Sequence, residues 1–212
     1  MDIQIDNLTL HYEGHRLFEN LSFQVSSGQK LCIAGPSGCG KSSLFRAILG
    51  FIRPQQGKIA IDGQFLNDKS VWQTRQRIAY VAQEPDLGQE IVLDRIRRPF
   101  HYKTNAHLTW SLQAVEDYFE RFQLNTTLFQ KQTNDLSGGE KQRIAIIIAL
   151  LLNRPILLMD EPASALDRES RITLKKKLSE LSIKTVLFTS HDEMLLDIAD
   201  VVFDMTADRR ML

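Results

Sequence analysis

Gly35-Pro36-Ser37-Gly38-Cys39-Gly40-Lys41-Ser42-Ser43 follows an apolar run, Lys30-Leu31-Cys32-Ile33-Ala34, and precedes Leu44-Phe45-Arg46-Ala47-Ile48-Leu49, which stops at Gly50. Strand, glycine-rich loop and helix in that order are the setting in which such a loop holds phosphate. Glycine has no Cβ and tolerates positive φ, so the backbone can curl tightly and come close to an anion. Successive N–H groups then point inward, and the positive end of the following helix adds to their field. Lys41 can reach the terminal phosphates of a nucleotide, and the Ser42 hydroxyl can ligate Mg²⁺. A glycine-rich turn before an ordinary helix would account for the glycines alone. It would not account for the Lys-Ser pair at this spacing. The stretch predicts a nucleoside triphosphate site.

Composition bounds what surrounds it. At 212 residues the chain fits one domain with a sizeable core. Lys+Arg and Asp+Glu both total 26, so the formal net charge is zero. That excludes a general electrostatic nucleic-acid binder, which shows a basic excess, and no nucleic-acid partner is expected. Cys32 and Cys39 are the two cysteines. They have no metal-ligand spacing and no disulfide framework, and are read as free thiols of a reducing cytosol. Met1-Asp2-Ile3-Gln4-Ile5 lacks the plan of a signal peptide. The longest apolar run, Ile144 to Leu152, is about half of what crosses a bilayer. Any membrane role is expected to come through a partner.

Working outward from the loop, Ile3, Ile5, Leu8, Leu10 and Tyr12 alternate with polar residues, and Leu21, Phe23 and Val25 repeat the pattern. This predicts two or three antiparallel strands before the loop. Lys58 to Gly63 and Arg77 to Gln83 read as further strands. Between Glu84 and Asp135 the composition shifts, with Arg95, Arg97, Arg98, His101 and Lys103 and then a helical pattern from Leu108 to Gln123. The expectation is a mostly helical lobe, about residues 84–150, inserted into a single domain spanning 1–212. Its basic cluster is read as a solvated face. A helix from Glu140 to Leu152, the strand Ile156–Asp160, a helix near Arg168 to Leu181 and strands at Thr185–Thr189 and Val201–Phe203 complete the plan. Apolar strands alternating with helices predict an α/β fold with a mostly parallel sheet covered on both faces.

Two more stretches carry chemistry. Ile156 to Glu161 is an apolar strand ending in two carboxylates, where parallel sheets bind ligands. Beside a phosphate loop, Asp160 is placed to hold Mg²⁺ through its water shell and Glu161 to polarise an attacking water. Leu136-Ser137-Gly138-Gly139-Glu140-Lys141-Gln142 opens a helix with a capping box, Ser137 to Glu140. The box does not explain two glycines where a better helix former could sit. They leave the first N–H groups uncovered, which makes a second anion site.

From about Tyr12 to His191 the chain resembles the ATP-binding-cassette (ABC) ATPases, a branch of the P-loop NTPases. Leu136 to Gln142 is similar to that family's signature sequence. The resemblance implies ATP and Mg²⁺ as cofactors. It also implies a homodimer in the ATP-bound state, in which Ser137, Gly138 and Gly139 of one copy meet the γ-phosphate of ATP held by the other copy's loop. Tyr12 matches the aromatic residue that stacks on adenine. Gln83 matches the glutamine that meets Mg²⁺ and senses the attached lobe. Ser164-Ala165-Leu166-Asp167 matches the loop that crosses the dimer seam, and His191 the histidine that touches the γ-phosphate. Tyr12, Gln83 and His191 each have an ordinary structural explanation on their own; their joint order and spacing favour function.

The resemblance further implies an ATPase subunit driving separate integral membrane permease subunits, which dock near the lobe after Gln83, with the chain peripheral on the inner face of the cell membrane. Ala82-Gln83-Glu84-Pro85, the compact lobe and Glu120-Arg121-Phe122 look similar to the ATPase subunit of a small bacterial two-component iron exporter. DNA-repair cassettes would carry heptad-rich insertions or a basic face, and translation-type cassettes two copies in one chain. An importer ATPase stays open beside the exporter, and so does a regulatory module that uses ATP to signal without moving a substrate.

Overall fold

The computed structural model describes residues 1–12, 15–181 and 184–205, without the side chains of Tyr12 and His15. Its centre is β3 (Lys30–Ala34), an interior strand of a five-stranded parallel sheet. The order is β6 (Ile78–Val81), β7 (Ile156–Met159), β8 (Thr185–Thr189), β3 and β9 (Val201–Asp204). In β3, Leu31 and Ile33 enter one apolar cluster and Cys32 the other. In β7, Ile156 and Leu158 enter the first, Leu157 and Met159 the second. Side chains alternate along a strand, so a run apolar at every position is a strand buried on both faces. The edge strand β9 departs from this, with Val201 and Val202 exposed.

The first cluster is closed by α1 (Lys41–Ile48) and an antiparallel sheet ordered β2 (His15–Val25), β1 (Ile3–Tyr12), β4 (Gln56–Ile61) and β5 (Gln64–Phe65). The expected early antiparallel strands are therefore present. The strand expected at Lys58 to Gly63 joins them across β1 rather than the parallel sheet. A short helix, α2 (Val71–Arg75), leads into β6.

Between β6 and β7 lie α3 (Val92–Arg97), α4 (Leu112–Arg121), four 3₁₀ turns and α5 (Gly138–Leu151). The helix expected from Leu108 to Gln123 is shorter at both ends: Ser111 accepts from the Ala114 N–H and caps its start, and Gln123 at φ 53° lies past its end. Val115, Phe119 and Phe122 are fully buried and share the second cluster with α5, β7, α6 (Arg168–Glu180) and α7 (Glu193–Leu196). The basic cluster is not simply solvated. Arg95 and Arg98 both pair with Glu90, at 3.5 and 2.6 Å, and Arg97 lies over the Trp110 ring.

Candidate active site

Four adjacent strands deliver the predicted residues. Gln83 follows β6, Asp160 and Glu161 follow β7, Ser190 and His191 follow β8, and the glycine loop follows β3. In a parallel sheet these are all C-terminal ends, so they gather along one rim.

The loop needs its glycines. Gly35, Gly38 and Gly40 have φ of 148, 79 and 105°. A Cβ at Gly40 would stand 3.0 Å from the Phe18 ring, and one at Gly35 2.8 Å from Cys39 Sγ. Positive φ reserves all three positions for glycine, and at Gly35 and Gly40 close approach adds to it. Lys41 begins α1 and is buried; its Nζ donates to the carbonyls of Gly35 and Pro36 at 2.7 and 3.1 Å, drawing the ammonium under the loop.

Across the rim, Thr189 joins the two carboxylate positions. Its hydroxyl donates to Asp160 Oδ1 at 2.8 Å and accepts the Glu161 N–H at 2.7 Å. Glu161 sits at φ 43°, uncommon for a residue with a Cβ, so this hydrogen bond fixes a strained backbone. The Glu161 carboxylate stands 3.6 Å from His191 Nε2. A cleft of about 470 Å³ is lined by Ser37, Gly38, Gly40, Lys41, Ser42, Ser43, Gln83, Glu161 and His191. Asp160 is buried and does not line it.

Burial pushes the Cys32 thiol, beneath the loop, up to about 11, against smaller lowering effects of a Ser190 backbone hydrogen bond and of Lys41. Burial, with the Asp160 charge, also raises Tyr80 on β6 to about 12.

These residues fit a polyphosphate with a divalent cation: the loop with its ammonium and hydroxyls on one wall, and an amide, a carboxylate and an imidazole on the other, with Asp160 buried behind them. Among the described residues there is no group of three or more His, Cys, Asp or Glu that would hold a metal unaided.

The signature stretch forms as expected. Ser137 Oγ accepts the Glu140 N–H, and Glu140 Oε2 accepts from both the Ser137 N–H and its hydroxyl at 2.8 Å. Burial, the largest single effect, raises the Glu140 carboxyl, but the Ser137 hydrogen bonds and the Lys131 and Arg143 charges together hold it below its ordinary value. Ser137 and Gly138 are exposed, and neither lines the cleft of their own subunit. Asp167 is more committed than its predicted role requires. It caps α6 through the Ser170 N–H at 2.8 Å and accepts from Arg143 Nη1 at 2.7 Å. The Ser170 backbone hydrogen bond, more than the Arg143 charge, holds its carboxyl low. The Tyr12 side chain lies outside the described residues.

Residues 18–164 match the family model "ABC transporter". The chain belongs to the ABC transporter family. It is an ATPase nucleotide-binding domain, with ATP and Mg²⁺ as its cofactors. This ABC domain is 30% identical over 207 residues to the probable iron export ATP-binding protein FetA of Escherichia coli K12, covering 96% of the chain and 90% of FetA. It is 35% identical to the energy-coupling factor transporter ATP-binding protein EcfA1 of Mycoplasma pneumoniae, covering 91% of the chain and 71% of EcfA1. With the choline transport ATP-binding protein OpuBA of Bacillus subtilis it shares 30% identity over 90% of the chain but only 51% of that protein. A dimeric ATP-binding cassette in a post-hydrolysis state with ADP and Pi superposes with a TM-score of 0.78 at 26% identity, over 95% of this chain and 93% of that one. A bacterial Atm1-family exporter with ATP bound gives 0.84 at 27% identity, over 96% of this chain and 37% of that one.

Sequence reading missed three polar residues of this ABC site. Thr189 closes an apolar strand and looks like a strand end. Gln142 is fully buried in α5, its Nε2 within 3.5 Å of the Ala82 carbonyl and 3.4 Å of Pro162's. It lies among Glu140, Lys141 and Arg143 in the polar first turns of α5, so nothing in the sequence marks it as the buried one. Arg171 links two loops far apart in sequence and gave no signal.

Proposed function

We propose that the domain is one of two copies that close around two ATP molecules and drive separate membrane subunits. The observation that carries this is the split between two phosphate-suited surfaces: the cleft holds the glycine loop, Gln83, Glu161 and His191, while Ser137 and Gly138, both exposed, and the half-buried Gly139 do not line it. A second copy supplies what one lacks. The dimeric cassette with ADP and Pi supports this arrangement.

In this reading residues 35–43 and Lys41 hold the phosphates, Tyr12 stacks on adenine, and Ser137, Gly138, Gly139 and Asp167 reach the partner's nucleotide. Ser42, Asp160 and Gln83 hold Mg²⁺, which neutralises phosphate charge when bound. Glu161 accepts a proton from the attacking water, and His191 orients that carboxylate and meets the γ-phosphate. Hydrolysis of this kind needs positioning and charge neutralisation more than covalent chemistry. Residues 84–150 act as the inserted lobe, and membrane subunits on the inner face of the membrane dock at Glu84 to Arg98, next to Gln83. No helix among the described residues is long and apolar enough to cross a membrane. Metal export, iron in particular, is the transport reading that the likeness to FetA favours, because that match spans nearly both whole chains.

Glu161→Gln tests the core of the proposal. The variant should form ATP-dependent dimers on size exclusion while turnover nearly vanishes. Near wild-type turnover would remove Glu161 from the water-activating role.

A further inference from the structure

Two guanidinium groups, one of them from α6 itself, tie the first turn of α6 to its neighbours. Arg143, on the signature helix α5, reaches Asp167 Oδ2 at 2.7 Å and Ser170 Oγ at 3.1 Å. Arg171 reaches the other way. Its Nε donates to the Leu166 carbonyl at 2.9 Å and its Nη1 to Asp192 Oδ2 at 3.0 Å. Leu166 belongs to the loop that carries Ser164 and Asp167, and Asp192 directly follows His191. Asp192 is itself fixed: its N–H donates to Ser190 Oγ, and its Oδ1 accepts the Met194 N–H to cap α7. Glu161, Ala163, Ser164, Arg171, Ser190 and His191 line a cavity of about 230 Å³ between the two loops.

From this geometry we propose that Arg171 is a positioning residue, holding the loop of His191 at a fixed distance from the loop of Ser164–Asp167 and so keeping the imidazole within reach of Glu161. A guanidinium presents donors in a rigid planar fork, so two acceptors bound by one fork cannot move independently. Because Arg143 anchors the same helical turn to α5, a shift of the signature helix moves Leu166, Arg171 and Asp192 together. A mere surface ion pair would not need this fork: Asp192 is only 14% exposed, and Nε is spent on a backbone carbonyl. The proposal rests on the role given above to His191 and Glu161.

The test uses the whole chain, with Arg171→Ala, Arg171→Lys, Asp192→Asn and His191→Ala. Asparagine keeps the cap on α7 but loses the charge that binds the fork, so it probes the same contact should Arg171→Ala fold poorly. Expected for Arg171→Ala and Asp192→Asn is a fall in kcat of about tenfold or more, KM for ATP unchanged within about twofold, and a displaced imidazole NMR resonance of His191. Arg171→Lys, with one donor head, should recover only part of the rate. Lower thermal stability with wild-type kcat and an unmoved His191 resonance would overturn the clamp and leave the His191 role intact. Wild-type turnover in His191→Ala would instead remove the His191 role, and the clamp's function with it.

Discussion

Thr189 Oγ donates to Asp160 Oδ1 at 2.8 Å while accepting the backbone N–H of Glu161 at 2.7 Å. One hydroxyl on β8 thus sets the acidic pair at the end of β7, and Thr189 is fully buried. Valine has the same shape and no hydroxyl. Thr189→Val should leave a half-buried N–H and a buried carboxylate oxygen short of a partner, costing about 1–3 kcal/mol. Urea denaturation checks the stability. Turnover should fall further than stability explains, because Glu161 at φ 43° loses the contact that fixes it. Unchanged turnover at full folding would show that neighbouring backbone alone holds Glu161.

The capping box gives a pH dependence with a definite sign. The Glu140 carboxyl lies below its ordinary value in the folded chain, where Ser137 donates to it. Its contribution to stability is therefore complete above its unfolded pKa and is lost as pH falls through the lower folded one. Glu140→Gln removes the titration but keeps an acceptor for the Ser137 N–H. Comparing urea midpoints of the two proteins from neutral to acid pH should show the wild type ahead at neutral pH and the gap closing on acidification. A constant gap would place the titration elsewhere.

Much of this architecture was legible because periodicity and glycine chemistry are local. β3, β7 and β8 read as continuous apolar runs and are strands buried on both faces, and Gly35, Gly38 and Gly40 read as a curled loop and adopt positive φ. What stayed hidden depends on partners distant in sequence. Nothing in Lys58 to Ile61 says that it pairs with β1 rather than the parallel sheet. Nothing in Arg95 and Arg98 says that Glu90 receives both. Thr189 and Arg171 were missed for the same reason. A hydroxyl ending a strand and an arginine on a polar helix are ordinary until tertiary structure brings Asp160 or Asp192 to them.

Cys32 lies in β3 directly beneath the phosphate loop, fully buried, with its thiol pushed up to about 11. At pH 8 roughly one such thiol in a thousand is ionised, and the thiolate is the nucleophile. Iodoacetamide should therefore leave Cys32 unlabelled in the native protein for as long as the chain stays folded, and label it fully in denaturant. Mass spectrometry of the peptide containing Cys32 reads both. Rapid native labelling would mean that the strand under the loop opens often, and ATP should then slow it.

Gly138 and Gly139 begin the same helix but face different surroundings. A Cβ on Gly139 would stand 2.9 Å from the Ala165 carbonyl oxygen, in the loop that leads to Asp167, whereas one on Gly138 would meet nothing within 4 Å. Gly139→Ala must therefore push α5 and that loop apart inside one subunit, and it should lower both stability and turnover. Gly138→Ala has no such obstacle, and at the first position of the helix it should leave the monomer's stability unchanged or slightly raised. The two substitutions separate causes. If Gly138→Ala keeps the stability and ATP affinity of the monomer yet loses ATP-dependent dimerisation and turnover, the crowding comes from a second copy or its nucleotide. Sedimentation with ATP in a Glu161→Gln background, where dimers should persist, measures this directly. Full dimerisation of the Gly138→Ala double variant would place the seam away from the signature helix.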